Sequence, residues 1–194
     1  MEPNTEISIQ PSGRVRSMNP QKFAMWLFII SVVMIFASLT SAYMVKKGAG
    51  NWQYIQMPSL FQVTSVIILL SSVSMHFAYL AAKKNNLFNI RLGVVITGVL
   101  ALGFIYGQLE GWKQLVGQGA YFVGNPASSF IYVFTGLHII HLIGGIVFLS
   151  IVLVSAFKYQ VHSKRLNRIE MCTTYWHFLG GLWLYLYIFL IINN

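Results

Sequence analysis

Charged side chains are scarce in this chain, since Asp, Glu, Lys and Arg together make up 9% of its 194 residues. Soluble domains carry about 25%, so this shortage excludes an ordinary water-soluble domain. Acidic groups are the scarcest, with four in total and no Asp. The chain therefore has no series of carboxylates across a membrane, such as proton pumps use, and no acidic pair for general acid–base catalysis.

Cysteine is almost absent as well. The one cysteine, Cys172, excludes an intramolecular disulfide and a cysteine-based metal site within one chain. Its place near the start of the last apolar run predicts a reduced thiol. The sequence also lacks a glycine-rich phosphate loop and a Ser–His–Asp set. We therefore do not expect this chain alone to be catalytic.

Long apolar runs take the place of charge. Hydrophobic residues make up 56% of the sequence. No charged residue interrupts residues 23–45, 48–82, 92–109, 114–157 and 171–194. Each run is long enough for a transmembrane helix, which needs about 20 residues. The sequence predicts an all-α membrane protein, a bundle of five helices at about 22–45, 59–82, 89–112, 130–157 and 173–192.

The basic residues indicate the orientation of this bundle. With the N-terminus in the cytoplasm, ten of the 13 basic residues fall on the cytoplasmic side, and only Lys46, Lys47 and Lys113 fall outside. The positive-inside rule therefore predicts a cytoplasmic N-terminus and an outer C-terminus. Because the basic residues are spread over the loops and form no single patch, we predict no nucleic-acid partner.

The domain organisation is simple. Residues 1–20 are polar and show no apolar period, which predicts a flexible cytoplasmic tail. Residues 21–194 show no internal repeat and are predicted to form a single transmembrane domain. Segment 113–129, which is rich in glycine, is predicted to be an irregular outer loop.

Histidines are the main ionisable groups in the apolar runs, at positions 76, 138, 141 and 177. His138 and His141 are three residues apart, so a helix is predicted to point them the same way. His76 and His177 are predicted to share one depth near the inner side. Three interpretations are open: hydrogen bonds between helices, a haem or metal site, and a proton relay. We favour the hydrogen bonds, because a metal on His138 and His141 would lack a third ligand.

Glycines recur every four residues in the third helix, at Gly103, Gly107 and Gly111. That spacing lets the backbone of another helix come close. We therefore expect this side of the third helix to pack tightly within the bundle.

The two carboxylates near the membrane boundaries are Glu110 and Glu170. We expect Glu110 to be solvated or paired with Lys113 or a lipid headgroup. Glu170 is expected to pair locally with Arg168 in the inner loop. Neither position predicts catalysis.

Two dense motifs in the last two helices resemble a known family. "TGLHIIHLIGG" resembles the TG-x-H-x-x-H signature in the penultimate helix of subunit III of the haem–copper respiratory oxidases. "YWHFLGGLWLYLY" resembles the last helix of that subunit. The matching residues are Thr135, Gly136, His138, His141, Glu170, Tyr175, Trp176, His177, Phe178, Trp183, Leu184, Leu186 and Tyr187. Weaker matches are "LLSSVSMHFA" and "LGFIYGQLEGW", so the resemblance covers about residues 22–192.

Three departures from the family pattern stand out. Many members have seven helices, and this chain resembles the five-helix form that lacks the first two. The family's Ser-Glu-Val in the first of the shared helices reads Ser31-Val32-Val33 here, so that carboxylate is absent. The Asp after the last-helix motif is replaced around Gly180. No role in proton handling carries over from those two acids.

The resemblance implies an accessory subunit of a proton-pumping cytochrome c oxidase in the bacterial inner membrane. Such a subunit holds no haem or copper, since these belong to subunits I and II. It packs on subunit I, binds phospholipid and supports proton uptake, and a larger respiratory supercomplex is a further candidate partner. The residues implied in packing, lipid contact or a subunit interface are His76, Gly103, Gly107, Glu110, His138, His141, Glu170, Trp176 and His177.

Other functions stay open at this point. Subunit III of a quinol oxidase, or of a relative that accompanies nitric oxide reductases, would show the same motifs. A self-contained haem cytochrome would use His76 and His177 as axial ligands. A small transporter fits less well, because such folds usually show inverted repeats.

Overall fold

The structure, a computed structural model, describes residues 19–50, 52–157 and 166–193. Nearly all of these residues lie in five α-helices: α1 (Pro20–Gly48), α2 (Leu60–Lys83), α3 (Leu87–Gly117), α4 (Pro126–Phe157) and α5 (Leu166–Asn193). All five are long and apolar enough to cross a membrane. The predicted all-α bundle of five transmembrane helices is confirmed. The predicted tail lies almost wholly outside the described residues.

Four helices form a closed ring, in which α2 packs on α3, α3 on α4, α4 on α5, and α5 on α2. The α2–α3 hairpin makes the most extensive of these contacts. Helix α1 lies outside the ring and packs on α4 and α5. Each helix of the ring therefore has protein on at least two sides, and α1 leaves most of its surface exposed.

Asparagines lie at the starts of α1 and α3 and in the turn between α2 and α3. The Asn19 side chain accepts a hydrogen bond from the Gln21 amide at 3.1 Å, and Pro20 occupies the first turn of α1. Between α2 and α3, Asn85 has a φ of 53°, which Asn tolerates better than most residues. Asn86 then caps α3 by accepting a hydrogen bond from the Asn89 amide at 3.3 Å.

The prediction of an irregular loop over 113–129 is wrong at both of its ends. Helix α3 continues to Gly117 and α4 begins at Pro126, which leaves a shorter connection. The chain turns at Gly119, whose φ of +79° suits glycine, and the Ala120 amide bonds back to the Leu115 carbonyl at 3.0 Å. Lys113 does not end α3, because a charge at the membrane boundary marks depth and leaves the helix intact.

Large aromatic side chains of α5 fill the ring. Trp176 and Trp183 are each 1% exposed. The Trp183 ring lies edge-on to Phe104 and Phe61, at centroid distances of 5.0 and 6.0 Å. A second cluster surrounds Tyr43 of α1, which has the Trp52 ring edge-on at 4.6 Å. The two clusters contain the largest fully buried side chains, whereas most of the exposed large hydrophobic side chains are aliphatic.

Small residues bring α2 and α3 together. A Cβ built on Gly93 would lie 2.8 Å from the Ala78 Cβ, and one built on Gly107 or Gly111 would overlap Thr64 or Phe61 of α2. Gly103 has open space at its Cβ position, so its expected part in close packing is wrong. Four residues turn a helix by about 400°, and this excess of about 40° per step rotates Gly103 out of the contact.

Gly107→Ala should destabilise the bundle, whereas Gly103→Ala should not. Alanine favours a helix over glycine by about 1 kcal/mol at either position, but at Gly107 the new methyl would overlap the Thr64 side chain. Overpacking of this kind costs about 1–3 kcal/mol. The difference in free energy of unfolding between the two purified variants is measured by titration with a denaturing detergent. Equal stability of the two variants would contradict the α2–α3 packing.

Candidate functional site: polar groups within the bundle

His138 lies at the centre of the ring, where it is fully buried. Its ring packs on Trp183 at a centroid distance of 5.2 Å and edge-on to Phe104 at 5.7 Å. Neither ring nitrogen has a hydrogen-bond partner among the described residues. The expected hydrogen bond from this histidine to a neighbouring helix is therefore not found, and its contacts are with aromatic rings of α3 and α5.

His141 faces another part of the bundle. Its ring lies 5.8 Å from Phe36 and 6.3 Å from Phe28, both on α1, and its Nδ1 is 2.7 Å from the Leu137 carbonyl of its own helix. The prediction that the two histidines of α4 point the same way is wrong. Three residues turn a helix by about 300°, and the remaining 60° is enough to aim them at different neighbours.

His76 and His177 come together, as their common depth predicts. Their ring centroids are 5.8 Å apart. The Ser72 hydroxyl and His177 Nδ1 share a hydrogen bond between α2 and α5. His177 is half-buried, and His76 is exposed on the outer surface of the bundle. Tyr79 flanks His76 at a ring distance of 6.2 Å, with the Lys83 ammonium 4.6 Å from the Tyr79 ring.

Indole N–H groups bond to hydroxyl groups across helices. Trp176 Nε1 donates to the Ser71 hydroxyl at 3.2 Å, and Trp183 Nε1 donates to the Ser65 hydroxyl at 2.9 Å. Both bonds join α5 to α2. Trp176 is among the predicted site residues, and Ser71 lies in the weaker motif match "LLSSVSMHFA", whereas Ser65 looks like an ordinary helix residue in the sequence. Because the hydroxyls also bond to carbonyls one turn back, each serine serves two partners.

A second polar contact joins α3 to its neighbours. Gln108 is fully buried and its Nε2 donates to the Thr64 hydroxyl at 2.9 Å. One turn further along, Trp112 Nε1 donates to the Thr135 hydroxyl of α4 at 2.9 Å. Gln108 lies in the weaker motif match "LGFIYGQLEGW" but is not among the predicted site residues. An amide within a long apolar run is the sequence signal that marks it.

The two boundary carboxylates form ion pairs. Glu110 pairs with Lys113 at 2.6 Å, one turn along α3. Glu170 pairs with Lys22 of α1 at 2.8 Å, so the expected local pairing with Arg168 is wrong. The N-terminal ends of α1 and α5 lie on one side of the bundle, and this brings a lysine far away in sequence to Glu170.

Val32 occupies the position where the resembled motif has a carboxylate. It is 1% exposed and lies one helical turn from both Phe28 and Phe36, the residues that contact His141. The missing acid therefore falls on the side of α1 that faces His141. An apolar, aromatic environment surrounds this histidine instead.

The described residues contain no group of three or more His, Cys, Asp or Glu side chains arranged to hold a metal ion. The predicted site residues therefore do not form one common site but lie in several separate places. His76 and His177 form one, His138 lies alone in the ring, and His141 lies against α1. Trp176 joins α5 to α2, while Glu110 and Glu170 lie in ion pairs at opposite ends.

The chain matches the cytochrome c oxidase subunit III family over residues 5–193 and belongs to that family. It is 26% identical to cytochrome c oxidase subunit 3 of Corynebacterium diphtheriae, over 84% of this chain and 82% of that protein. It is 27% identical to the probable cytochrome c oxidase subunit 3 of Mycobacterium bovis, over 91% of each. It is also 25% identical to the cytochrome bo(3) ubiquinol oxidase subunit 3 of Buchnera aphidicola, over 91% of this chain and 95% of that protein.

Family and fold together define the class of protein. The five helices and the family match make the chain a multi-pass protein of the bacterial inner membrane. Its relatives are subunits of haem–copper terminal oxidases, which are enzymes as complexes and contain further subunits. The predicted family and its transmembrane character are confirmed.

Ser71→Ala should weaken the contact between α2 and α5, because the Trp176 indole would lose its acceptor. Hydrogen bonds between membrane helices contribute on average about 0.6 kcal/mol, and at most about 1.7 kcal/mol. Ser31→Ala is the matched control, since the exposed Ser31 hydroxyl bonds only to the Phe28 carbonyl of its own helix. Reversible unfolding in mixed detergent micelles would measure the free energy of unfolding of both variants. A loss no larger for Ser71→Ala than for Ser31→Ala would contradict the role of the indole bond.

Proposed function

We propose that this chain is the accessory, non-redox subunit III of a proton-pumping terminal oxidase that accepts electrons from cytochrome c. In this function it stabilises subunit I, holds phospholipid and supports proton uptake by the complex. Haem and copper reside in the partner subunits. Membership of the subunit III family supports the proposal, and the arrangement of the ionisable groups is the structural observation that carries it.

The four histidines of the described spans lie in three separate sites. His138 packs among aromatic rings of the helix ring, while His141 packs against Phe28 and Phe36 outside it. The His76–His177 pair belongs to a different surface, between α2 and α5. A proton relay needs groups that exchange protons in succession across the membrane. Separate sites of this kind favour a packing and binding function.

Two apolar grooves support the binding of phospholipid. One, of about 630 Å³, lies between α2 and α3 and has Lys84 and Asn89 at its end. The other, of about 770 Å³, lies between α1 and α4 and has Lys46 at its end. An acyl chain fits an apolar groove, and a lysine at the membrane boundary attracts an anionic headgroup. Each groove therefore offers both parts of a phospholipid site.

The identity of the electron donor is the most specific part of the proposal. The identities to the cytochrome c oxidase relatives, 26% and 27%, lie close to the 25% identity to the ubiquinol oxidase relative. Donor binding belongs to other subunits of such complexes. We propose cytochrome c, and a ubiquinol oxidase is the alternative within the same class.

A haem-binding cytochrome is the alternative from another class. The observation in its favour is the 5.8 Å distance between the His76 and His177 rings. His177 already shares its Nδ1 with Ser72, which leaves Nε2 as the nitrogen for an iron. This alternative predicts a haem absorption band in the isolated chain.

Purification of the tagged chain in mild detergent tests the main proposal. We expect subunits I and II to co-purify and the eluate to show the haem bands of an oxidase. The chain expressed alone should be colourless, because its function does not include a haem. Untagged membranes provide the control for non-specific recovery. A haem band from the chain alone that disappears in His76→Ala would overturn the accessory function.

Lys84→Gln should lower the amount of anionic phospholipid that co-purifies with the complex. The Lys84 side chain lines the α2–α3 groove, and each lysine near an anionic headgroup contributes about 1 kcal/mol. Lys83→Gln is the matched control, because Lys83 lies over the Tyr79 ring. Mass spectrometry of lipids extracted from the two complexes measures the effect. Equal lipid content would rule out this groove as the headgroup site.

A further inference from the structure

Polar side chains form a row on the outer surface where α2 meets α5. Ser72, His76 and Tyr79 follow one another on α2 at spacings of four and three residues. His177 of α5 contacts Ser72 and His76, and His76 contacts Tyr79. These four residues are named the polar seam. His76 is exposed, and the other three are half-buried. The seam thus presents ring nitrogens and hydroxyls to whatever surrounds the bundle.

The polar seam lies at a depth where a lipid headgroup does not reach. His76 is seven residues from Lys83, and His177 is seven residues from Glu170, which is about 10 Å along a helix. Lys83 and the Lys22–Glu170 ion pair mark the boundary at this end of the bundle. Both imidazoles therefore face the hydrocarbon region, where lipid offers no hydrogen-bond partner.

An imidazole exposed to acyl chains is unfavourable, and polar residues within membranes almost always face protein. Ser72 satisfies one ring nitrogen of His177. His76 makes ring contacts with His177 and Tyr79, and no hydrogen bond, within the described part of the chain. Hydrogen-bonding capacity is therefore left over on the outer side of the seam, which points to a protein partner there.

We propose that the polar seam is the docking site for a transmembrane helix of the catalytic subunit, and that this helix presents a hydrogen-bonding side chain to His76 and His177. The inference rests on the proposed function and adds the surface through which it acts. The side chain is a carboxyl, amide or hydroxyl group, since these are the partners an imidazole bonds in apolar surroundings.

The surroundings of the seam suit a helix as the occupant. Gly181 lies one turn beyond His177 on α5, is exposed, and has no atom within 4 Å of its Cβ position. An exposed glycine beside a hydrogen-bonding group permits close approach of a second backbone. A lipid chain would fill this space but would leave the His76 imidazole and the second ring nitrogen of His177 without partners.

Photo-crosslinking within the assembled complex tests the location. Leu69→Cys is labelled with a benzophenone maleimide and irradiated in membranes that contain the whole oxidase. Leu69 is 45% exposed and lies two turns from His76 on the same side of α2, so both imidazoles stay in place. The parent chain supplies the background, because its one thiol, Cys172, is 1% exposed. Ile143→Cys is the matched control, since Ile143 is 49% exposed and lies fourteen residues from the end of α4, as Leu69 does from the end of α2.

We expect the Leu69 probe to form an adduct with the catalytic subunit and the Ile143 probe to form mainly lipid adducts. Adducts of the Leu69 probe with lipid alone, or with a second copy of this chain, would overturn the inference. Equal adducts with the catalytic subunit from both positions would overturn it as well. A wild-type chain that purifies without any oxidase subunit would overturn the proposed function and the inference with it.

Substitution tests the hydrogen bond itself. His76→Leu should lower the fraction of catalytic subunit that stays bound during detergent washing by about threefold to tenfold, the ratio that one intramembrane hydrogen bond supplies. His76→Gln should restore most of the binding, because an amide still donates and accepts. His76 is exposed, so the isolated His76→Leu chain should unfold like wild type. Undiminished binding by His76→Leu, or no rescue by His76→Gln, would contradict the proposal.

Discussion

The bilayer supplies no hydrogen bonds, and this constraint organises the interior of the bundle. The clearest response to it is the pair of bonds from the indoles of Trp176 and Trp183 to Ser71 and Ser65. Each indole buries a large apolar surface and still places its N–H on an acceptor of another helix. Both acceptors lie on α2, so the same two bonds satisfy α5 and close the helix ring.

One short motif serves three different environments because α4 touches three helices. The Thr135 hydroxyl accepts a hydrogen bond from the Trp112 indole N–H of α3. His138 packs among the aromatic rings of α3 and α5, and His141 packs on α1. A helix with a single neighbour could not use a motif in this way. The "TGLHIIHLIGG" stretch is therefore a set of contacts with several partners, and the loss of any one of them would affect a different boundary of α4.

The sequence predicts how deep a residue lies in the membrane, but it does not predict towards which neighbouring helix its side chain points. Runs without charge located all five helices, and counting residues brought His76 and His177 to one level. The side of each helix that faces protein stayed hidden, since helices apolar all round carry no hydrophobic stripe. For that reason the spacing of Gly103, Gly107 and Gly111 predicts a shared contact, in which Gly103 has no part. The sequence does not predict the Lys22–Glu170 ion pair, because the pair depends on which helix ends are neighbours in space.

Among the described helices, α1 packs on α4 and α5 and on no other. A ribosome makes α1 first and its two neighbours last, at a rate of about 5–20 residues per second. The α2–α3 hairpin has its contacts available as soon as it enters the membrane. Helix α1 instead has to wait in the bilayer, with the Val32 side uncovered, until more than a hundred further residues have been inserted. An apolar residue such as Val32 lowers the free-energy cost of that exposure, because a carboxylate without a partner is expensive in the hydrocarbon region.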